Sequence, residues 1–180
     1  MSTLELFEFP DMKGDSHSFT ADAADLATVG FLKRAQSLRV IGEPWIVFTD
    51  LKYQGKYAVF KEGIYSSIPG FSKSICSTRI VQGGLYEPKI TVFEHINYLG
   101  RAQDLGKDAD SLKTYGMESM ISSHKVAKGA WVLYQGDFFT GATMVTIAGD
   151  NVPDYTKIGW NDKVNSVKAI TPYQTYQTVV

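Results

Sequence analysis

The chain has 180 residues, 44% hydrophobic and 13% aromatic, which suits one medium core or two small ones and is not the composition of a disordered tail. Basic and acidic residues balance, 9 against 9 in residues 1–85 and 9 against 10 in 86–180, so at a net charge of −1 neither half is basic enough to hold nucleic acid by its phosphates. Cys76 is the only cysteine, which rules out an internal disulfide and any cysteine-rich zinc centre. No apolar run reaches the roughly 18 residues of a membrane helix, and the N-terminus has no signal-like stretch. A cytoplasmic protein is expected, with secretion without a recognisable signal peptide as the alternative.

The first strand is expected at residues 4–6, where Leu4 and Leu6 flank Glu5. A short helical turn falls within 22–29, inside a longer connection. Strand-like alternation returns at 57–59, 90–92 and 131–133, with a second helical turn at 111–115 between the last two. No segment sustains a helical stripe for more than about two turns. Many short strands separated by turn signals point to antiparallel sandwiches.

A fourfold repeat organises these elements. An aromatic is followed five residues later by a second bulky side chain and two further on by glycine: Phe7…Met12…Gly14, Phe48…Tyr53…Gly55, Phe93…Tyr98…Gly100 and Tyr134…Phe139…Gly141. The starts are 41, 45 and 41 residues apart, so repeats one and two form one domain and three and four another. A later element recurs as well, a glycine and a large apolar residue leading to Ser-x-Arg or Ser-x-Lys at Ser37…Arg39, Ser77…Arg79, Ser123…Lys125 and Ser166…Lys168. An odd spacing of five would put the two bulky residues on opposite faces of a straight strand. Turn-prone residues between them predict a sharp bend that returns both rings to one side, with the glycine supplying positive φ or a close backbone approach.

This arrangement resembles the βγ-crystallin superfamily, whose signature is an aromatic-x4-aromatic-x-Gly hairpin in each of four Greek-key motifs. The resemblance covers residues 3–172, and Met12 departs from it only by replacing an aromatic with another large apolar side chain. It implies an all-β chain of two βγ-crystallin-like domains, each a sandwich of two Greek-key motifs. Residues 1–82 form the first, 83–88 the linker, 89–173 the second and 174–180 a C-terminal tail. The segment from Lys89 to Arg101 is similar to the epidermis differentiation-specific, non-lens branch. In that branch an aerolysin-type pore-forming domain sometimes follows, so a chain stopping at Val180 is expected to be a short member or part of a longer one.

The resemblance also implies a calcium signature at the second repeated element, Asn/Asp-Asn/Asp-x-x-Ser/Thr-Ser. One motif gives the second-position acid, and its partner gives the third-position carbonyl and fifth-position hydroxyl. Calcium takes six to eight oxygen ligands. On this pattern Asp162, the Met120 carbonyl and Ser122 form one site. Ser119, the Lys163 carbonyl and Asn165 form a second, degraded one without a second-position carboxylate. The plain alternative is that Asp162, Ser122 and Ser123 only cap turns. In the first domain both second positions are lysines, Lys33 and Lys73, and an ammonium cannot ligate a cation. Either those lysines donate to the carbonyls that would face a metal, or they are solvated surface groups.

No sequence feature asks for catalysis. His17, His95 and His124 share no metal-ligand spacing and are expected at the surface or in turns, and Cys76 reads as a small core residue. The expectation is a non-enzymatic structural or stress-type protein, with at most weak Ca2+ binding in the second domain. The alternative is the recognition module of an aerolysin-type pore-forming protein or complex. The implied partners are a second copy or a pore-forming protein, with no nucleic acid and no membrane insertion by this chain itself.

Overall fold

The computed structural model describes residues 1–173; the expected tail at 174–180 lies outside them. The chain divides into two compact units, Met1–Gln82, to which Tyr173 belongs, and Gly83–Pro172. The stretch 83–88, expected as a linker, counts with the second unit. Among the described residues the only helical pieces are short 3-10 turns, including Leu26–Val29 and Leu112–Tyr115 where helical turns were expected.

In the first unit β1 (Thr3–Phe9) buries Leu4 and Leu6 while Thr3 and Glu5 stay partly open, the period-two pattern of a strand with one face on a core. It pairs with β2 (Lys13–Phe19) and β3 (Ser37–Ile41), and a second sheet is built from β4 (Trp45–Phe48), β5 (Tyr57–Phe60) and β7 (Ser77–Ile80). The remaining strand, β6 (Gly63–Tyr65), belongs by sequence to the second motif but pairs with β3 of the first, Ile64 opposite Arg39. The exchange is reciprocal, since Ala23 of the first motif bridges to Thr78 in β7.

The second unit repeats the plan. One sheet has the order β13 (Asn151–Val152), β10 (Ser123–Lys128), β8 (Lys89–His95) and β9 (Leu99–Leu105). The other runs β12 (Thr143–Ile147), β11 (Ala130–Tyr134) and β14 (Ser166–Ile170). Here β13 crosses to β10, and Ala109 crosses to Val167 in β14. Each motif thus completes its partner's sheet, so the unit of folding is the pair. Between the sheets of each unit lies one apolar core, around Trp45, Phe60 and Phe71 in the first and Trp131, Tyr155 and Leu133 in the second. Burying one such side chain contributes about 1.5–3 kcal/mol.

The expected bend in each repeat is a pair of consecutive left-handed residues: Asp11-Met12, Lys52-Tyr53, Asn97-Tyr98 and Phe138-Phe139, all with φ between 55° and 63°. The bend brings the rings together at 5.9 Å for Phe48–Tyr53, 5.5 Å for Phe93–Tyr98 and 5.6 Å for Tyr134–Phe139. Gly100 has φ 78°, and a Cβ there would lie 2.5 Å from His95 Cδ2, so it supplies both the positive φ and the close approach.

A left-handed non-glycine residue costs about 1–2 kcal/mol, and the recurring serine holds it in place. Ser37 accepts from Met12 N–H (3.0 Å) and donates to the Phe9 carbonyl (2.6 Å). Ser77 does the same with Tyr53 and Asp50, Ser123 with Tyr98 and His95, and Ser166 with Phe139 and Gly136. The cation two residues on caps the second ring: Arg79 over Tyr53, Lys125 over Tyr98 and Lys168 over Phe139, at 4.9, 4.2 and 5.0 Å. Where Met12 removes the ring, Arg39 pairs instead with Glu5.

Candidate functional site

The second repeated element is a tight loop just before β3, β7, β10 or β14. Its second residue is left-handed in every copy, Lys33, Lys73, Ser119 and Asp162 having φ between 51° and 59°. Its fourth residue, Ala35, Ile75, Ile121 or Val164, is fully buried. The loops of one unit are tied in pairs: Lys33 N–H donates to the Ile75 carbonyl (3.0 Å), Lys73 N–H to Ala35 (2.8 Å) and Asp162 N–H to Ile121 (3.1 Å). These bonds set a second-position side chain of one loop against the third and fifth positions of its partner.

In the second unit this brings Asp162, Met120 and Ser122 together. Ser122 Oγ lies 3.5 Å from both the Met120 carbonyl oxygen and Asp162 Oδ1. That distance is at the outer limit of a hydroxyl bond. It also matches the spacing of two oxygens sharing one calcium ion, since ligands about 2.4 Å from a cation at right angles lie roughly 3.4 Å apart. Among the described residues Asp162 Oδ2 is engaged only by the Asn161 amide (3.1 Å), and neither oxygen caps a turn. The three oxygens line an open hollow of about 600 Å³ whose far side is the β8 hairpin, with Glu94 and His95. Glu94 Oε1 is held by Arg101 N–H at 3.3 Å and lies 3.4 Å from His95 Nε2. This donor set, with a carboxylate, a carbonyl and a hydroxyl converging, fits a calcium ion.

The reverse pairing does not fit. Ser119 donates to Asn165 Oδ1 from both its N–H (3.0 Å) and its hydroxyl (3.2 Å), consuming the oxygen the site needs. The Asn165 amide group then turns its donors to the carbonyls of Gln135 (2.9 Å) and Lys163 (3.5 Å). Ser119, Lys163 and Asn165 therefore meet as a closed hydrogen-bond network, because an asparagine with its oxygen occupied presents N–H where a cation needs a lone pair.

In the first unit the fifth-position residues are also spent internally, Gln36 donating to the Glu8 carbonyl (2.9 Å) and Cys76 to that of Ser74 (3.7 Å). Lys33 and Lys73 are exposed, and among the described residues neither ammonium donates a hydrogen bond to a backbone carbonyl. Among the described residues no three His, Cys, Asp or Glu side chains gather as a metal cluster. The candidate calcium set above escapes that description because two of its three oxygens come from a carbonyl and a serine.

His124 corrects the sequence expectation. It lies fully buried in β10, its Nδ1 against the Tyr155 hydroxyl and its Nε2 2.8 Å from Thr146 Oγ1. Thr146 in turn donates to Asp150 (3.0 Å). Burial lowers the His124 pKa to about 4, against a smaller opposing pull from Asp150. Burial likewise raises that of Tyr155 well above the usual phenol value. His17, on β2, rests against Phe19 with ring centroids 4.7 Å apart, and His95 is exposed. Cys76 is buried, which pushes its thiol pKa up and keeps it protonated and inert. The buried roles of the serines and of His124 were the ones sequence reasoning missed. The serines carried a signal in their fourfold recurrence, whereas His124 carried none.

Among the described residues no helix is long and apolar enough to cross a membrane. The beta/gamma crystallin family matches residues 3–83 and 89–170. The chain is 34% identical over 178 residues to the epidermal differentiation-specific protein of Cynops pyrrhogaster, covering 99% of this chain and 52% of that protein. To human beta-crystallin B1 it is 31% identical over 153 residues, 82% of this chain and 60% of the relative. It thus spans little more than half the length of these relatives. Among solved structures it is similar to Geodin, a beta-gamma crystallin from Geodia cydonium, at TM-score 0.40 and 19% identity, covering 94% of this chain and 99% of that one. Protein S complexed with calcium is similar at TM-score 0.42 and 18% identity, over 94% and 100% of the two chains. With both pairs of repeats matched in register with the two units, the chain belongs to the beta/gamma crystallin family, a family of non-enzymatic proteins.

Proposed function

We propose that the chain is a structural, stress-type crystallin whose second unit binds calcium weakly. The carrying observation is the convergence of Asp162, Ser122 and the Met120 carbonyl on one hollow. These residues would hold the ion, which supplies a link between the two motifs of that unit. Asp162 is the group that makes the set anionic. The remaining ligands would be water, as suits an open hollow, and an open, singly charged site binds weakly.

At a dissociation constant of about 0.1 mM, 1 mM Ca2+ stabilises the unit by about 1.4 kcal/mol. That raises its unfolding temperature by several degrees. Calorimetry of the full chain with and without Ca2+ reads this shift, and amide resonances of residues 119–123 and 161–162 should move with it. Asp162→Asn keeps a side chain that tolerates the left-handed backbone and removes the charge, so the shift should vanish. A chain whose unfolding temperature ignores calcium, or an Asp162→Asn variant that still responds, overturns the reading.

A further inference from the structure

We propose that the first unit carries a binding site for a phosphate dianion, free or as a monoester, in the hollow beside the hairpin of its second motif. This goes beyond the calcium reading and concerns the other unit, so the two stand or fall separately.

The two hollows are equivalent by position in the repeat but not by order in the unit: this one faces the hairpin of a second motif and the candidate calcium hollow that of a first motif. The one in the first unit measures about 480 Å³ and lies between the hairpin after β4 and the loops bearing Lys33 and Lys73. Compared position by position, the charge has been reversed. Lys33 stands where the other hollow has Asp162, Lys73 where it has Ser119, and Thr49 where it has Glu94. Asp50 in place of His95 is the one change in the opposite direction. Lys56 adds a third ammonium, whereas its counterpart Arg101 turns away to the carbonyls of Tyr115 and Gly116. Three lysines and Asp50 leave the lining at +2; Glu94 and Asp162, not counting His95, leave the other at −2.

The lysines are uncompensated. All three are exposed, and among the described residues none of their ammonium groups has an ion pair or a hydrogen bond. Like charges gathered around one concavity repel one another and focus a positive potential on it. Their anchoring is firm at two points, because Lys33 and Lys73 sit on the paired loops tied by backbone bonds of 3.0 and 2.8 Å. Thr49 adds a donor: its hydroxyl accepts from Lys56 N–H (2.9 Å), and its own proton has no acceptor among the described residues. Three ammonium groups and a hydroxyl are all donors. A carboxylate has two oxygens to offer them, while a phosphate dianion has three or four and twice the charge, so phosphate is the better match.

The test is a titration of the full 15N-labelled chain with inorganic phosphate at pH 7, ionic strength held constant with chloride. Saturating amide shifts are expected at residue 33, at 49–56 and at 73–74. The Lys33→Asn/Lys73→Asn double variant should weaken binding about tenfold or more, since it removes two of the three ammonium groups that face the anion. Asparagine tolerates the left-handed backbone, so unchanged resonances elsewhere report an intact fold. Lys56→Gln, off the strained positions, gives a second reading and should weaken binding by a few-fold. O-phosphoserine is the parallel probe: tighter binding than inorganic phosphate assigns the site to a phosphorylated partner, weaker binding to the free ion, and either supports the proposal. Shifts that fail to saturate by roughly 50 mM phosphate, or equal affinity in the lysine variants, overturn it.

Discussion

Acidification from pH 7 to pH 4 is expected to remove about 3 kcal/mol from the stability of the second unit through His124 alone. The imidazole is fully buried, and its hydrogen bonds form a directed chain. Tyr155 donates to Nδ1, Nε2–H donates to Thr146, and Thr146 donates to the Asp150 carboxylate. A second ring proton would point at the hydroxyl hydrogen of Tyr155 and break that order. The folded pKa is about 4, against 6.5 for an unperturbed imidazole. Between those values the unfolded chain binds a proton that the folded chain refuses. The contribution is therefore complete above about pH 6.5, falls as pH drops through the window, and levels off below about pH 4. Urea unfolding of the full chain at pH 7, 5.5 and 4 measures it. Carboxylates elsewhere also titrate, so the comparison is with His124→Gln, which keeps a donor and an acceptor but cannot charge. The variant's unfolding free energy should fall less steeply with acid, by close to the full 3 kcal/mol. Equal slopes in the two proteins would show that His124 is not protonated on unfolding.

The sequence made the repeat legible because every member of it has the same work to do four times. The paired rings, the glycine and the Ser-x-cation element were all visible as residue types at fixed spacing. Their purpose was only half visible. The bend could be inferred from an odd spacing, but not that it consists of two left-handed residues, since Lys52, Asn97 and Phe138 share no side-chain property. The exchange of β6 and β13 between sheets left no mark either, as Gly63–Tyr65 and Asn151–Val152 are too short to show a period. At the candidate site Asp162, Ser122 and Met120 were named through the family resemblance, from the position each holds in the repeated element. The failure of the Asn165 pairing was not legible, because it depends on which end of an amide faces Ser119. His124 was misread for a related reason. Its partners Thr146 and Tyr155 lie 22 and 31 residues away, and nothing local to β10 distinguishes a satisfied core histidine from a surface one.

Replacing Ser123 with alanine should cost the second unit about 2–4 kcal/mol, far more than the loss of one hydroxyl at a surface. Ser123 is fully buried, and its oxygen serves two backbone groups at once: it accepts from Tyr98 N–H at 3.1 Å and donates to the His95 carbonyl at 2.7 Å. Alanine removes both bonds, at about 1–3 kcal/mol for each group left unpaired where water cannot reach it. It also releases the clamp on Asn97 and Tyr98, whose left-handed backbone is held against its own preference. The Tyr98 ring then loses its fixed place between Phe93 and Lys125, to which it now lies at 5.5 and 4.2 Å. Ser37→Ala should act alike in the first unit, where the bonds are 3.0 and 2.6 Å and the second residue is Met12. The ring contact is absent there, so comparing the two variants separates the polar clamp from the aromatic packing: equal losses assign the effect to the hydrogen bonds, and a markedly larger loss for Ser123→Ala assigns part of it to Tyr98. Ser72→Ala, at an exposed position of the same loop that holds Lys73, is the control and should stay within about 0.5 kcal/mol of the parent. Urea unfolding of the full chain gives all three numbers. Losses for Ser37→Ala and Ser123→Ala no larger than that control would mean that the hairpins hold their left-handed residues without the serines.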